Sequence, residues 1–435
     1  MKIKLYILLF FYFSNYYLCD IITFPFKRIL SQDINETNFY SHYADNKIYT
    51  PIKIGIDSNE IQIQIKMNQY SFCIRNDSLI YNYQTSSSYK SIGEEFDNYN
   101  TDYKTAIPSK ESFILGKEKI KINSNFLLTR NSKFNKEGIL GLKIHENNNK
   151  TTGYNLISQL KANKLINKEA FFFNFDKDSD NGELIIGEYP HLIDKYKEKY
   201  PQYQFKDKSI DIFNYEMNFD LLFRSIFYEG KEIEKDTRAH IEIESGYIKG
   251  SKYFEDISYN FFYPHVIKKK CHREEVNVLY LAYICEDYPD LDLSKFPEIK
   301  FYISSANYNL TLTYEDLFIK KDGKVYFLVV FDKFGYNVQW TLGNTFLKRN
   351  KLVFDIDKRI IGIYDENIKD INDKNNNDNR SYSYNLLIYV IILIVAVLII
   401  IGLTVFIIYN FFWRKRNKKR YEINEDYEYN AAINI

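Results

Sequence analysis

Trp340-Thr-Leu-Gly-Asn-Thr-Phe-Leu347, followed by Val353-Phe-Asp355 and Ile361-Gly362, is the stretch on which the reading of this chain turns. Inside it, Lys351-Leu-Val-Phe-Asp355 is a short apolar run of the kind that forms a buried strand. Working outward, Val325-Tyr-Phe-Leu-Val-Val330 and Glu183-Leu-Ile-Ile-Gly187 are runs of the same type. Strict alternation, the mark of a half-buried strand, is plain in Ile61-Gln-Ile-Gln-Ile65, Lys117-Glu-Lys-Ile-Lys-Ile122 and His240-Ile-Glu-Ile-Glu244. One helix pattern stands at Tyr154 to Leu165, where Leu156, Ile157, Leu160 and Leu165 mark an apolar stripe. The 40 Tyr and 34 Phe add to the bias toward strands over helices.

Composition removes several function classes. Lys plus Arg number 58 against 57 Asp plus Glu, a net charge of +1, so a nucleic-acid binder relying on a bulk basic field is disfavoured. Six His and four Cys cannot furnish several zinc sites, and no Gly-rich phosphate loop of either common pattern occurs. No G-x-S-x-G elbow is present, and Cys73 has no local His partner; it reads as a small buried hydrophobe. No cofactor or metal is expected.

The two ends read as targeting segments. Residues 1–20 carry Lys2 and Lys4 ahead of the apolar run LYILLFFYF, the form of a secretory signal peptide. Residues 386–408 are 23 residues without a charge, enough to span about 30 Å of hydrocarbon. Trp413 and the basic cluster Arg414 to Arg420 follow, as at the cytosolic end of a stop-transfer helix. The expected layout is a single-pass type I membrane protein of the secretory pathway. Residues 21–46 would be a candidate propeptide, 47–190 an N-terminal lobe, 191–364 a C-terminal lobe, 365–385 a polar stalk and 409–435 a basic cytosolic tail. In a translocated chain the sequons at Asn35, Asn76, Asn149, Asn309 and Asn379 become candidate glycan sites.

With these pieces in order, residues 47–364 resemble a pepsin-like aspartic protease along nearly their whole length. Tyr49-Thr-Pro-Ile-Lys-Ile-Gly55 resembles the family's first strand, and Ser86-Ser-Ser-Tyr-Lys90 the segment after the first catalytic loop. Glu137-Gly-Ile-Leu-Gly-Leu142 is similar to "DGILGLG", and Asn155-Leu-Ile-Ser-Gln-Leu160 with Leu165 to Phe171 to the helix and strand that follow it. Asn181-Gly-Glu-Leu-Ile-Ile-Gly187 is similar to "GGELIFGG", Phe296 to Phe301 to "LPxIxF", and Trp340 to Leu347 to "WILGDxFL". The resemblance implies an all-β, two-lobed fold, here with a C-terminal transmembrane helix.

It also implies where catalysis would sit. The family places one Asp-Thr-Gly loop in each lobe, so that two carboxylates share a proton and work as acid and base on a bound water. Counted without gaps, the first motif falls on Lys66-Met67-Asn68 and the second on Glu242-Ile243-Glu244. A gapped alignment, which puts the second motif on Glu244-Ser245-Gly246, stays open. The hairpin that would close over substrate corresponds to Asn98 to Ser109, with Tyr99 and Tyr103 as candidates for its Tyr and no Gly at its tip. The implied disulfide is Cys271–Cys285, matching the second-lobe pair in an oxidising compartment. These substitutions point to a catalytically inactive homologue whose interlobe cleft takes an extended peptide or protein by strand pairing, with Lys66 and Glu242 facing each other as an ion pair. The alternatives are an active endopeptidase with an unorthodox dyad, or an unrelated β-rich receptor.

Overall fold

The structure, a computed structural model, describes residues 21–28, 39, 47–56, 59–76, 81–97, 103–132, 137–143, 153–176, 179, 181–200, 205–207, 219–305, 307–334, 339–364 and 406. The chain divides into two units. The first, Met1–Glu366, holds both sheets described below; the second, Asn367–Ile435, lies outside the described residues apart from Phe406. The segments read as signal peptide, stalk, transmembrane helix and tail are therefore not among the described residues, again apart from Phe406. Among those that are, no helix is long and apolar enough to cross a membrane.

The chain is mostly β with few helices, consistent with the two-lobed fold that the resemblance implies. Strands β1 (Ile22–Arg28), β2 (Ile48–Ile54), β3 (Asn59–Lys66), β4 (Phe72–Arg75), β5 (Lys90–Ser91), β6 (Phe96–Asp97), β7 (Tyr103–Leu115), β8 (Ile120–Ser132), β9 (Gly138–Gly141), β10 (Ala170–Phe175), β11 (Gly182–Ile186) and β12 (Phe205–Asp207) belong to one sheet. A second sheet takes β13 (Asp220–Tyr228), β14 (Lys231–Ile241), β15 (Ile248–Gly250), β16 (Cys271–Glu275), β17 (Tyr280–Glu286), β18 (Ile299–Ile303), β19 (Tyr308–Leu312), β20 (Phe318–Lys321), β21 (Lys324–Phe327), β22 (Val329–Asp332) and β23 (Trp340–Leu342). The last strands, β24 (Lys351–Asp355) and β25 (Ile360–Tyr364), return to the first sheet, where β24 pairs with β10. Four helices are described: α1 (Leu156–Ala162), α2 (Lys252–Ile267), α3 (Tyr314–Leu317) and α4 (Asn344–Arg349).

The aromatic content is spent on the core. Trp340 is fully buried, with Phe254 and Phe301 at ring distances of 5.1 and 5.2 Å, and its indole N–H donates to Glu234 Oε2 at 3.0 Å. That bond supplies the partner a buried indole needs. Phe171 on β10 stacks on Phe354 of β24 at 4.9 Å, and Phe219, at the entrance to β13, meets both rings edge-on. This trio ties the returning strands to the start of the second sheet.

Several local expectations change. The alternation of His240 to Glu244 does not continue as a strand: β14 ends at Ile241 and the chain turns. Lys117 to Lys119 lie in the turn before β8, and the run Val325 to Val330 breaks at Leu328, whose N–H leaves the ladder for Leu317 O at 2.8 Å. The first helix is shorter than its apolar stripe, because Asn155 caps it by accepting from Ser158 N–H and Lys164 adopts a left-handed φ of 57° just past its end. Helix α2 was not anticipated. Within the stretch read as a candidate propeptide, β1 lies between β11 and β2 with Ile22, Phe24 and Phe26 buried.

Candidate functional site

The same crossing occurs once in each sheet. In the first, β3 runs parallel to β9, leaves at Lys66, and returns as β4 antiparallel to β9 and parallel to β8. In the second, β14 runs parallel to β23, leaves at Ile241, and returns as β15 antiparallel to β23 and parallel to β22. The registers match position by position. Ile65 faces Leu140 as Ile241 faces Leu342, and Cys73 faces Ile139 as Lys249 faces Thr341. Both excursions have the same length, so Lys66 is the counterpart of Glu242, Met67 of Ile243, and Asn68 of Glu244. Glu244, the first residue of the alternative Glu244-Ser245-Gly246 count, stands two positions further along the second loop than the counterpart of Lys66.

Two glycines hold the loops in place. A Cβ added to Gly141 would lie 2.6 Å from Gln69 O, and one added to Gly343 would lie 2.2 Å from Tyr247 O and 2.4 Å from Ser245 O. The loop backbone is pressed against the strand end at both positions, and only glycine leaves room for it. Backbone bonds complete the seat: Leu142 N–H donates to Lys66 O, Lys143 N–H to Gln69 O, Glu242 N–H to Leu342 O, and Asn344 N–H to Ser245 O, at 2.8, 2.8, 3.1 and 2.6 Å.

The two loops carry different side chains inward. Met67 and Ile243 are buried apolar residues at equivalent positions. Glu244 reaches across to the first loop, where its Oε1 accepts from Met67 N–H at 3.0 Å and from Asn68 N–H at 3.4 Å. Its Oε2 is closed off from solvent and has no hydrogen-bond partner among the described residues. Burial pushes this carboxyl up to about 7, and the neighbouring charge of Glu242 adds to the rise; Lys66 and the backbone donors pull it back. Glu242 keeps a solvent-accessible carboxylate, with Lys249 Nζ at 4.0 Å, and that ammonium also sits over the Tyr280 ring at 5.0 Å. The sequence placed Lys66 opposite Glu242. The structure puts Lys249 at ion-pair range of Glu242 and lets the field of Lys66 act on Glu244.

The remaining candidates fall as follows. Cys271 and Cys285 form a disulfide across β16 and β17, and Cys73 is buried in β4. Asn309 is exposed on β19, the terminal strand of its sheet; Asn76 is half-buried just after β4, with its N–H bonded to Thr129 O at 2.9 Å. Asn35, Asn149, Asn379 and Tyr99 lie outside the described residues, and Tyr103 opens β7. Among the described residues no group of His, Cys, Asp and Glu could hold a metal ion.

A cavity of about 700 Å³ lies toward the start of β14 and the first turn of α2, lined in part by Glu234, Asp236, Lys252 and Gln339. Its charged groups are committed to neighbours: Glu234 to Ser251 and Trp340, Asp236 to Arg224 at 2.5 Å, and Lys252 to Glu255 at 2.6 Å. The equivalence of the loops makes their meeting point the stronger candidate.

A family model for eukaryotic aspartyl protease matches residues 58–365, well over half of the chain and inclusive of both loops. No curated protein sequence matches at a significant level.

Proposed function

Because the chain belongs to the eukaryotic aspartyl protease family, we propose that it is a membrane-anchored, catalytically inactive member whose interlobe cleft binds an extended peptide or protein segment. The observation that carries this reading is the content of the two equivalent loop positions, Lys66 and Glu242, where the family's chemistry needs two acids. A dyad works because two carboxylates share one proton across the lobes. With a lysine at one of the two positions, no second carboxylate stands there to share a proton with Glu242, so the matched acid–base pair that activates the family's water is missing. The carboxylate that does cross between the loops, Glu244, has its Oε1 occupied by backbone N–H groups. Strand pairing with a ligand backbone needs no dyad, so binding can outlast catalysis.

One observation favours the rival reading, an active endopeptidase. Glu242 and Glu244 share a loop that has left the strand, and the charge of one raises the pKa of the other, which is how an acid and a base are told apart. A single assay separates the two. Full-length protein in detergent, incubated with casein at pH 4–5, is expected to release no peptides. Cleavage that disappears in Glu242→Gln would establish the dyad instead.

Membrane anchoring rests on the two apolar segments of the sequence and carries its own expectation. A translocated chain should bear an N-glycan at Asn309, which is exposed on a terminal strand within Asn309-Leu-Thr311. Translation in the presence of microsomes should give a glycosidase-sensitive product that shifts by one glycan in Asn309→Gln. An identical mobility for the two proteins would remove Asn309 from the glycan sites.

A further inference from the structure

The Glu244 carboxyl ends against a loop of the other sheet, 177 residues away from Met67 and 176 from Asn68 in sequence. One oxygen takes both N–H groups, and the other is closed off from solvent with no partner among the described residues. The charged and titratable groups around it come from several elements. Lys66 stands at the end of β3, Glu242 and the buried Tyr247 on its own loop, and Lys249 on β15, with Tyr280 of β17 beneath the Lys249 ammonium.

We infer that Glu244 is a proton-operated latch between the two loops: the neutral carboxyl keeps the Met67–Asn68 turn docked, and its ionisation loosens that junction. The physical reason is the difference between the two oxygens. A neutral carboxyl still offers a carbonyl oxygen to both N–H donors and places no charge on the oxygen that is closed off from solvent. An ionised one accepts those bonds more strongly, yet it leaves a bare anionic oxygen out of reach of water and beside Glu242. Titration near pH 7 supports the geometry. The sign follows from linkage. The folded value lies above the ordinary 4.5, so the latch contributes in full below about pH 4.5 and loses its contribution as pH rises through about 7. The latch would regulate the same cleft, but it holds whether or not the cleft hydrolyses peptide, and its test contains no substrate.

The test is amide hydrogen exchange on the full-length chain in detergent, corrected for intrinsic rates, read at the Met67 and Asn68 amides. Between pH 5.5 and pH 8 protection at these two amides should fall about tenfold or more in the unaltered chain. In Glu244→Gln, an amide of the same shape that stays neutral, it should stay flat. Glu242→Gln removes the neighbouring charge and should move the midpoint to lower pH; it provides the same decision where Glu244→Gln fails to fold. A flat profile in the unaltered chain, an unchanged slope in Glu244→Gln, or an unmoved midpoint in Glu242→Gln each overturns the latch.

Discussion

Alanine at Gly343 is expected to lower the unfolding free energy by about 3 kcal/mol or more, the upper range for overpacking, with Gly141→Ala close behind. The backbone angles are not the cause. Gly343 has φ of −83°, which any residue adopts, so the glycine is required for space alone. Its added methyl would meet the Tyr247 and Ser245 carbonyl oxygens at 2.2 and 2.4 Å, and these atoms belong to the loop backbone rather than to a side chain that can swing away. Relief requires lifting the Glu242 loop off β23, which breaks the Asn344 N–H bond to Ser245 O and moves Glu244 away from Met67. Gly323→Ala is the contrast: φ is +71° there but a Cβ would meet nothing within 4 Å, so the expected cost is about 1 kcal/mol of left-handed strain. Urea melts of the three variants at one pH decide the matter, provided the slope with denaturant is unchanged. A Gly343→Ala loss no larger than that of Gly323→Ala would mean that the loop is not seated as described.

The elements that could be read from the sequence were those whose burial follows a simple period. Ile61, Ile63 and Ile65 are buried as their alternation predicts, although Gln64 between them is buried as well, and Leu156, Ile157 and Leu160 form a helical stripe that is buried as expected. Helix α2 leaves no periodic signal in the sequence because its buried face is Phe254, Glu255, Ser258 and Phe262, a mixture no apolar stripe describes, while its Tyr and Phe content suggests strand. Its start did leave a signal: Ser251 is an N-cap whose hydroxyl accepts from Phe254 N–H. Buried Glu255 is explained by contacts that sequence cannot show, Lys252 at 2.6 Å and Arg273 at 3.2 Å.

The candidate site was legible to a different degree. Lys66 and Glu242 could be located by counting along a resemblance, and strand registers place them as counterparts. The role of Glu244 could not. A strand through His240 to Glu244 puts Glu242 and Glu244 on one face, whereas the turn after Ile241 sends Glu242 toward Lys249 and Glu244 toward the first loop. The pattern marked the buried Ile241 and Ile243 correctly, but it could not show that the ladder stops between them. That break depends on β23 and Gly343, about a hundred residues downstream.

Reducing the Cys271–Cys285 bridge is expected to cost about 3 kcal/mol, the chain-entropy value for a closed loop of roughly 15 residues. The two cysteines are direct partners across β16 and β17, and the next residues add a backbone bond from Glu286 N–H to Lys270 O at 2.8 Å. Because β17 also pairs with β21 and β22, the hairpin has a template that does not depend on sulfur. The folded state should therefore change little on reduction, and the loss should arise from the unfolded chain, which regains the freedom that the loop removed. Urea melts with and without reductant test this directly. The midpoint of the unaltered chain should drop on reduction, while a variant carrying Cys271→Ala and Cys285→Ala should melt at that lower midpoint and ignore reductant. Cys73 is buried in β4 and outside the bridge, so Cys73→Ala should leave the response to reductant intact. Equal midpoints in oxidised and reduced protein would show that the hairpin is already closed in the unfolded ensemble, and that the bridge adds nothing to it.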